Sequence, residues 1–199
     1  GMLVWGYFSN VIGSTGSTFT TNAGLFGKVY FPRVIVPAAA VISNLVAFGV
    51  QTVTYLVVYA GHLLFSDTAR AAIHPNLLVL AVLPLLLLQT ALFALGCGLL
   101  ISAVSAKYRD LQHAVPLLVQ LWMFATPVIY PLSELSPKAQ WLAALNPLTS
   151  IVELFRKGFF GVGTVTPGFV AFSVGATLVV LLAGFAWFQK VERSVVDTV

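Results

Sequence analysis

Residues 77–105 run for 29 positions without one Asp, Glu, Lys or Arg. A helix needs about 20 mainly apolar residues to cross the hydrocarbon core of a bilayer. A second stretch, 34–59, is also free of charge. In water, runs this long and apolar on every side would have to be buried entirely by the rest of the chain. The rest cannot do this, because 59% of the residues are hydrophobic and only 8% are charged. Soluble domains carry about 25% charged residues. Apolar runs of this length predict membrane-spanning helices. The fold class is therefore an all-α integral membrane protein, a polytopic helical bundle.

Further spans are predicted over residues 112–131 and 167–188. The first of these contains Pro116 and Pro127, so a kink is expected in it. Residues 1–20 open apolar and then pass into Gly13-Ser14-Thr15-Gly16-Ser17-Thr18, which predicts a partial span. No basic segment or Ala-x-Ala site marks a signal peptide, and the apolar opening suggests a chain missing its N-terminal part. About four full spans and one partial span result.

Lys and Arg in short loops set the orientation. The pairs Lys28/Arg33, Lys107/Arg109 and Lys190/Arg193 alternate onto one side, which is expected to be cytoplasmic. Residues 132–166 then fall on the outer side, although they hold Lys138, Arg156 and Lys157. In that segment Ser136-Pro137 and Asn146-Pro147 each place an N-cap before a proline at the first helical position. Gly161 supplies a stop. Two short helices of about 9 and 13 residues are predicted, too short to span, forming a re-entrant or interfacial hairpin.

Polar side chains inside the spans are few. Asn44, Gln51 and Tyr55 share one helical face, and Gln120 follows His113 by one heptad, near Trp122, Thr126 and Tyr130. They serve either as glue between helices or as the wall of a polar, aromatic conduit for a hydroxyl-rich substrate. Tyr108-Arg109-Asp110 reads as a snorkelling anchor with a local ion pair. Glu153 and Lys157 are four apart in the favourable order, with Arg156 beside them. They mark a solvated face, or a face turned to a lumen or a partner. No charge lies inside a span, which argues against ion-coupled transport.

Several classes are excluded or weakened. The net charge of +4 is scattered and leaves no nucleic-acid footprint. His62, His74 and His113 lack metal-ligand spacing, and no phosphate-binding G-x-x-x-x-G-K-[ST] loop is present. An integral membrane transferase would need acidic or His residues clustered at one face. Asp67, Asp110, Glu134 and Glu153 are instead spread over three loops.

Four stretches taken together resemble one family. KVYFPR (28–33), preceded by Asn22-Ala23-Gly24-Leu25, looks like the cytoplasmic loop of type-2 ABC exporter permeases that move O-antigen, capsule and teichoic-acid polymers. KYRDLQHAVPLLVQLWMFATPVIYPLSEL (107–135), ALNPLTSIVELFRKGFFG (144–161) and FQKVERSVVDTV (188–199) are similar to later parts of the same family, in the same order. Members normally have six spans, so the front of this chain departs from the pattern. The resemblance implies a single transmembrane domain over 1–199: a partial span (1–20), a coupling loop (21–33), spans (34–59, 77–105, 112–131), external gate helices (132–166), a last span (167–188) and a cytoplasmic tail (189–199). It implies a homodimer in the bacterial cytoplasmic membrane, in contact with membrane lipid and working with two ATP-binding subunits that bind ATP and magnesium. The permease chain itself would hold no cofactor and catalyse no reaction. The substrate implied is a lipid-linked polysaccharide, with drugs or lipids as the alternative cargo. By family position, Asn22, Lys28, Tyr30, Phe31, Pro32 and Arg33 would serve coupling. Tyr108, Arg109 and Asp110 would form a cytoplasmic gate, and Glu153 and Arg156 would belong to the external gate helices. Asn44, Gln51, Gln120, Trp122, Phe124 and Tyr130 would line the route.

Overall fold

A computed structural model describes residues 1–21, 32–108 and 110–196. The described residues are helical and contain no strand. In chain order the helices are α1 (Met2–Gly16), α2 (Thr18–Thr21), α3 (Ile35–Phe65), α4 (Asp67–Ala72), α5 (Leu77–Lys107), α6 (Leu111–Ala125), α7 (Pro137–Ala144), α8 (Pro147–Phe160) and α9 (Pro167–Val196). Among the described residues α3, α5 and α9 are long and apolar enough to cross a membrane. The apolar α6 has 15 residues, about 22 Å of helix, short of a hydrocarbon core of about 30 Å.

Helix α5 is the centre of the bundle. The Asn76 side chain caps its start by accepting from the Val79 N–H at 3.2 Å. On one side α1 packs parallel to it, with Phe8 stacked on Phe93 at 5.6 Å between ring centroids. On the other side α9 comes close at glycines. A methyl on Gly96 would meet Leu181 backbone atoms at 2.8 Å, and one on Gly184 would run into the Gly96 carbonyl. Small residues let helix backbones approach in this way where no hydrophobic force drives association. Gln89 of α5 adds a hydrogen bond to Ser173 Oγ of α9 at 2.8 Å. Helix α3 runs antiparallel along α1, tied by Tyr7 Oη donating to the Val41 carbonyl at 3.2 Å. Most of the remaining α3 surface, including Val46, Val50, Val53 and Val57, is exposed and apolar, as a lipid-facing helix should be.

Helix α1 lies within the stretch expected to form a partial span. Its polar run stays helical to Gly16 because the hydroxyls fold back onto the helix. Thr15 Oγ1 donates to the Val11 carbonyl at 2.6 Å and Ser14 Oγ to the Asn10 carbonyl at 2.8 Å. The apolar half, Val4, Trp5, Tyr7, Phe8, Val11 and Ile12, is buried, with α1 packed against α5, α3 and α6.

Candidate functional site: a buried ion pair that holds unwound backbone

The span expected over 112–131 is helical only to Ala125. Pro127 forces the preceding residue out of the helical region, and Thr126 is extended (φ −104°, ψ 135°). Residues 126–131 then run without regular helix, yet Thr126, Pro127 and Val128 are buried. Buried backbone that has left its ladder must find other partners, at a cost of several kcal/mol per unpaired group in a membrane.

The partners come from three directions. Thr126 Oγ1 donates to the Trp122 carbonyl at 2.9 Å, and Tyr130 Oη donates to the Phe124 carbonyl at 3.0 Å. These cap the last turn of α6. Asn146 Nδ2 then donates to Thr126 Oγ1 at 2.7 Å, linking that cap to the start of α8. The largest share comes from α8 itself. Arg156 Nη2 donates to the Pro127 carbonyl at 3.0 Å and the Tyr130 carbonyl at 3.1 Å, with Val128 O at 3.5 Å.

Glu153, one turn earlier, supplies the acceptors. Its Oε1 accepts from the Leu132 N–H at 3.0 Å and from Arg156 Nη1, and its Oε2 accepts from the Thr164 N–H at 3.3 Å. Glu153 is fully buried, and the Arg156 side chain is 13% exposed. A guanidinium can only donate and a carboxylate can only accept. The pair therefore divides the unwound backbone between them: carbonyls to Arg156, amides to Glu153. This is the condition under which irregular backbone is tolerated at membrane depth.

Helix α8 is held along its whole length. Its N-cap, Asn146, accepts from the Leu148 N–H, and Ser173 Oγ of α9 donates to the Pro147 carbonyl at 2.6 Å. Ser150 Oγ returns a bond to the Phe169 carbonyl at 3.1 Å. At the far end Gly161 takes the left-handed conformation (φ 74°) and closes the helix onto the Lys157 carbonyl. The free carbonyls of Gly158 and Phe159 accept from the Asn76 N–H at 2.9 Å and the Tyr59 hydroxyl at 2.5 Å. So α8 joins α3, α5, α9 and the segment after α6.

The residues singled out in the sequence fall into three groups. Glu153 and Arg156 come together, whereas the expected favourable spacing had paired Glu153 with Lys157. Asn44 donates to the Ala40 carbonyl at 2.8 Å and to Ser14 Oγ at 3.1 Å, and Gln51 is exposed beside Gly6 of α1. Trp122 sits edge-on to Phe8 at 5.2 Å, inside the packed aromatic cluster, while Gln120 and Phe124 point outward. Tyr130 is engaged with α6 as described. Tyr108 and Asp110 are exposed. Pro32 is exposed, and the Arg33 N–H donates to Glu192 Oε1 at 3.2 Å. Asn22, Lys28, Tyr30, Phe31 and Arg109 lie outside the described residues.

Sequence reading missed Thr126, Tyr59, Ser173 and Glu192 as partners. Pro127 carried the one available signal, since it guarantees unwound backbone that needs donors from elsewhere. Among the described residues no group of three or more potential metal ligands occurs. The site is thus a positioning device, with its charges satisfied inside the chain.

The chain is similar to several curated proteins. It is 31% identical over 162 residues to the O-antigen export system permease protein RfbA of Myxococcus xanthus, covering 80% of this chain and 58% of that protein. It is 26% identical over 206 aligned positions to the polysialic acid transport protein KpsM of Escherichia coli, covering all of this chain and 73% of that one. It is 31% identical over 115 residues to the capsule polysaccharide export inner-membrane protein CtrC of Neisseria meningitidis, covering 54% of this chain and 41% of that protein. The chain thus spans less than two thirds of the first of these relatives. The family model for ABC-2 type transporters matches residues 1–160 of the 199, from α1 through the ion pair to the end of α8. An all-helical bundle with membrane-length helices, matched over that extent, belongs to the ABC-2 type transporter family.

Proposed function

We propose that this chain is the membrane-spanning part of an ATP-driven exporter that moves a lipid-linked polysaccharide across the bacterial cytoplasmic membrane. The polymer is of the O-antigen, capsule or teichoic-acid class. The observation that carries this reading is the shared cargo class in the names of its relatives: O-antigen, polysialic acid and capsule polysaccharide. One of them is named an inner-membrane protein, which supports the cytoplasmic membrane as the location.

In this reading two copies of the permease work with two ATP-binding subunits, which hold ATP and magnesium and perform hydrolysis. Residues 22–33 engage those subunits, and Tyr108, Arg109 and Asp110 stand at the cytoplasmic gate. Helices α7 and α8 form the outer gate. The Glu153–Arg156 pair supports that assignment in one respect: it makes α8 and the segment after α6 move as one body. A conduit lining of Asn44, Gln51, Gln120, Trp122, Phe124 and Tyr130 requires that Trp122 leave its cluster or face the route from within it.

The test is deletion of the gene encoding this chain in its host. Surface polymer should disappear while lipid-linked polymer accumulates inside the cell. Normal surface polymer would overturn the reading. So would a full-length protein, purified in mild detergent, that never retains an ATP-binding subunit.

A further inference from the structure

Helices α7 and α9 face each other without closing. Helix α7 packs chiefly on α8 and on the turn over Leu132–Glu134. Between α7 and the start of α9 lies a pocket of about 460 Å³. Pro137, Trp141 and Leu145 line it along one face of α7 and its C-cap, at i, i+4 and i+8. Gly168, Phe169 and Phe172 line it from the first turns of α9. Trp141 meets Phe169 edge-on at 5.2 Å between ring centroids and bridges the two walls. A methyl on Gly168 would find nothing within 4 Å, so the space reaches the α9 backbone.

The size is that of a ligand site, usually about 300–1,000 Å³. The lining decides the class. Of the two polar side chains at its border, Gln140 turns its amide nitrogen away to the Leu135 carbonyl at 2.9 Å, which leaves the Thr166 hydroxyl. A sugar or a peptide needs several convergent polar groups, whereas an acyl chain needs none. Depth points the same way. The membrane-length part of α9 begins at Pro167, so Gly168, Phe169 and Phe172 stand where the headgroup layer gives way to hydrocarbon. Trp141, Leu145 and Phe172 are exposed, so the mouth of the pocket is apolar as well. Lys138 is the only charge on α7, is exposed and lies one turn from Trp141 on the same face. It pairs with no carboxylate among the described residues. A Lys at this depth lays its stem on apolar surface and offers its ammonium to a phosphate.

We propose that this pocket binds one acyl chain of an anionic glycerophospholipid from the leaflet on the α7 side, with the lipid phosphate at Lys138. The inference needs a membrane-spanning α9 and does not depend on the exporter reading, so either can fail without the other.

The experiment titrates the full-length permease, purified in mild detergent, with dioleoyl phosphatidylglycerol and reads occupancy of the tightest lipid site by native mass spectrometry. Gly168→Phe puts a ring into the open space and should weaken that site about tenfold or more, since each methylene displaced from an apolar pocket is worth about fourfold. Gly168→Leu should weaken it in the same direction with a smaller side chain. Lys138→Gln should weaken phosphatidylglycerol about fivefold and leave dioleoyl phosphatidylcholine unchanged, while Lys138→Arg stays near wild type. Should Gly168→Phe fail to fold, Gly168→Leu and the exposed Lys138→Gln decide. Wild-type affinity for phosphatidylglycerol in Gly168→Leu or in Lys138→Gln would overturn the inference. So would a polyprenyl phosphate that binds about tenfold more tightly than phosphatidylglycerol and loses that advantage in Gly168→Leu, because the occupant would then be a carrier of cargo. Dissociation of a dimer by Gly168→Leu with lipid occupancy unaltered would overturn it too, because a second copy of the chain would then fill the pocket.

Discussion

Replacing a buried ion pair by two apolar residues of similar volume is commonly neutral or even stabilising. The Glu153–Arg156 pair should behave differently, and the structure says by how much. Arg156→Met leaves a fully buried carboxylate with two backbone donors only, and strips the Pro127 and Tyr130 carbonyls of theirs. Breaking one side of such a pair costs about 3–5 kcal/mol. Glu153→Met orphans the Leu132 and Thr164 amides and should cost a similar amount. In the double variant both charges are gone, but four backbone groups lose their partners, and those of Pro127 and Leu132 are buried. At about 1 kcal/mol for each buried group, the low end of the usual range, and less for the two more accessible ones, the double variant stays about 2–3 kcal/mol less stable than wild type. The assay is reversible unfolding of the purified protein in lipid–detergent micelles, followed by helical circular dichroism. Amide exchange at Leu132 and Thr164 would be measured in parallel and should rise in both Glu153→Met and the double variant. A double variant within about 1 kcal/mol of wild type would refute the reasoning, because it would show the pair bonded chiefly to itself.

Three further outcomes are expected. Gly96→Ala should lower stability by about 1–3 kcal/mol in the same unfolding assay, since its methyl would meet Leu181 backbone at 2.8 Å and push α9 off α5. Asn146→Ala should cost about 1–2 kcal/mol, as both the cap of α8 and the bond to Thr126 are lost, while Asn146→Asp, which keeps the cap, should cost about half as much. Under the exporter reading, joint replacement of Lys28 and Arg33 by Ala in the full-length protein should uncouple hydrolysis from export without preventing membrane insertion, and export at wild-type rate would contradict it.

The helices were legible because their signals are local. Composition and uninterrupted apolar runs placed α3, α5 and α9, and Asn-Pro, Ser-Pro and Gly161 marked the limits of α7 and α8. The polar end of α1 stays helical for a reason that is also local: its Ser and Thr hydroxyls bond back to the preceding turn. The site was harder. Spacing on an isolated helix favours Glu153 with Lys157, but which face of α8 is covered is set by its packing on α5 and α9. Trp122 shows the same limit from the other side. An indole suits a conduit wall and an aromatic core equally well, and only its neighbours Phe8 and Phe93 distinguish them.

The bonds that settle α8 run in both directions along the chain. Tyr59, Asn76 and Thr126 precede it, whereas Thr164, Phe169 and Ser173 are synthesised after it. When α8 has just been polymerised, Thr164 and Ser173, the later partners of the Glu153 carboxylate and the Pro147 carbonyl, are still to be added. A chain that ends before Ser173 therefore lacks the bond from α9 to the Pro147 carbonyl, although Glu153 already has Arg156 and the Leu132 N–H. Arrival of α9 completes the bonding of α8, so truncation between Phe160 and Ser173 should lower the yield of folded protein more than truncation in the tail.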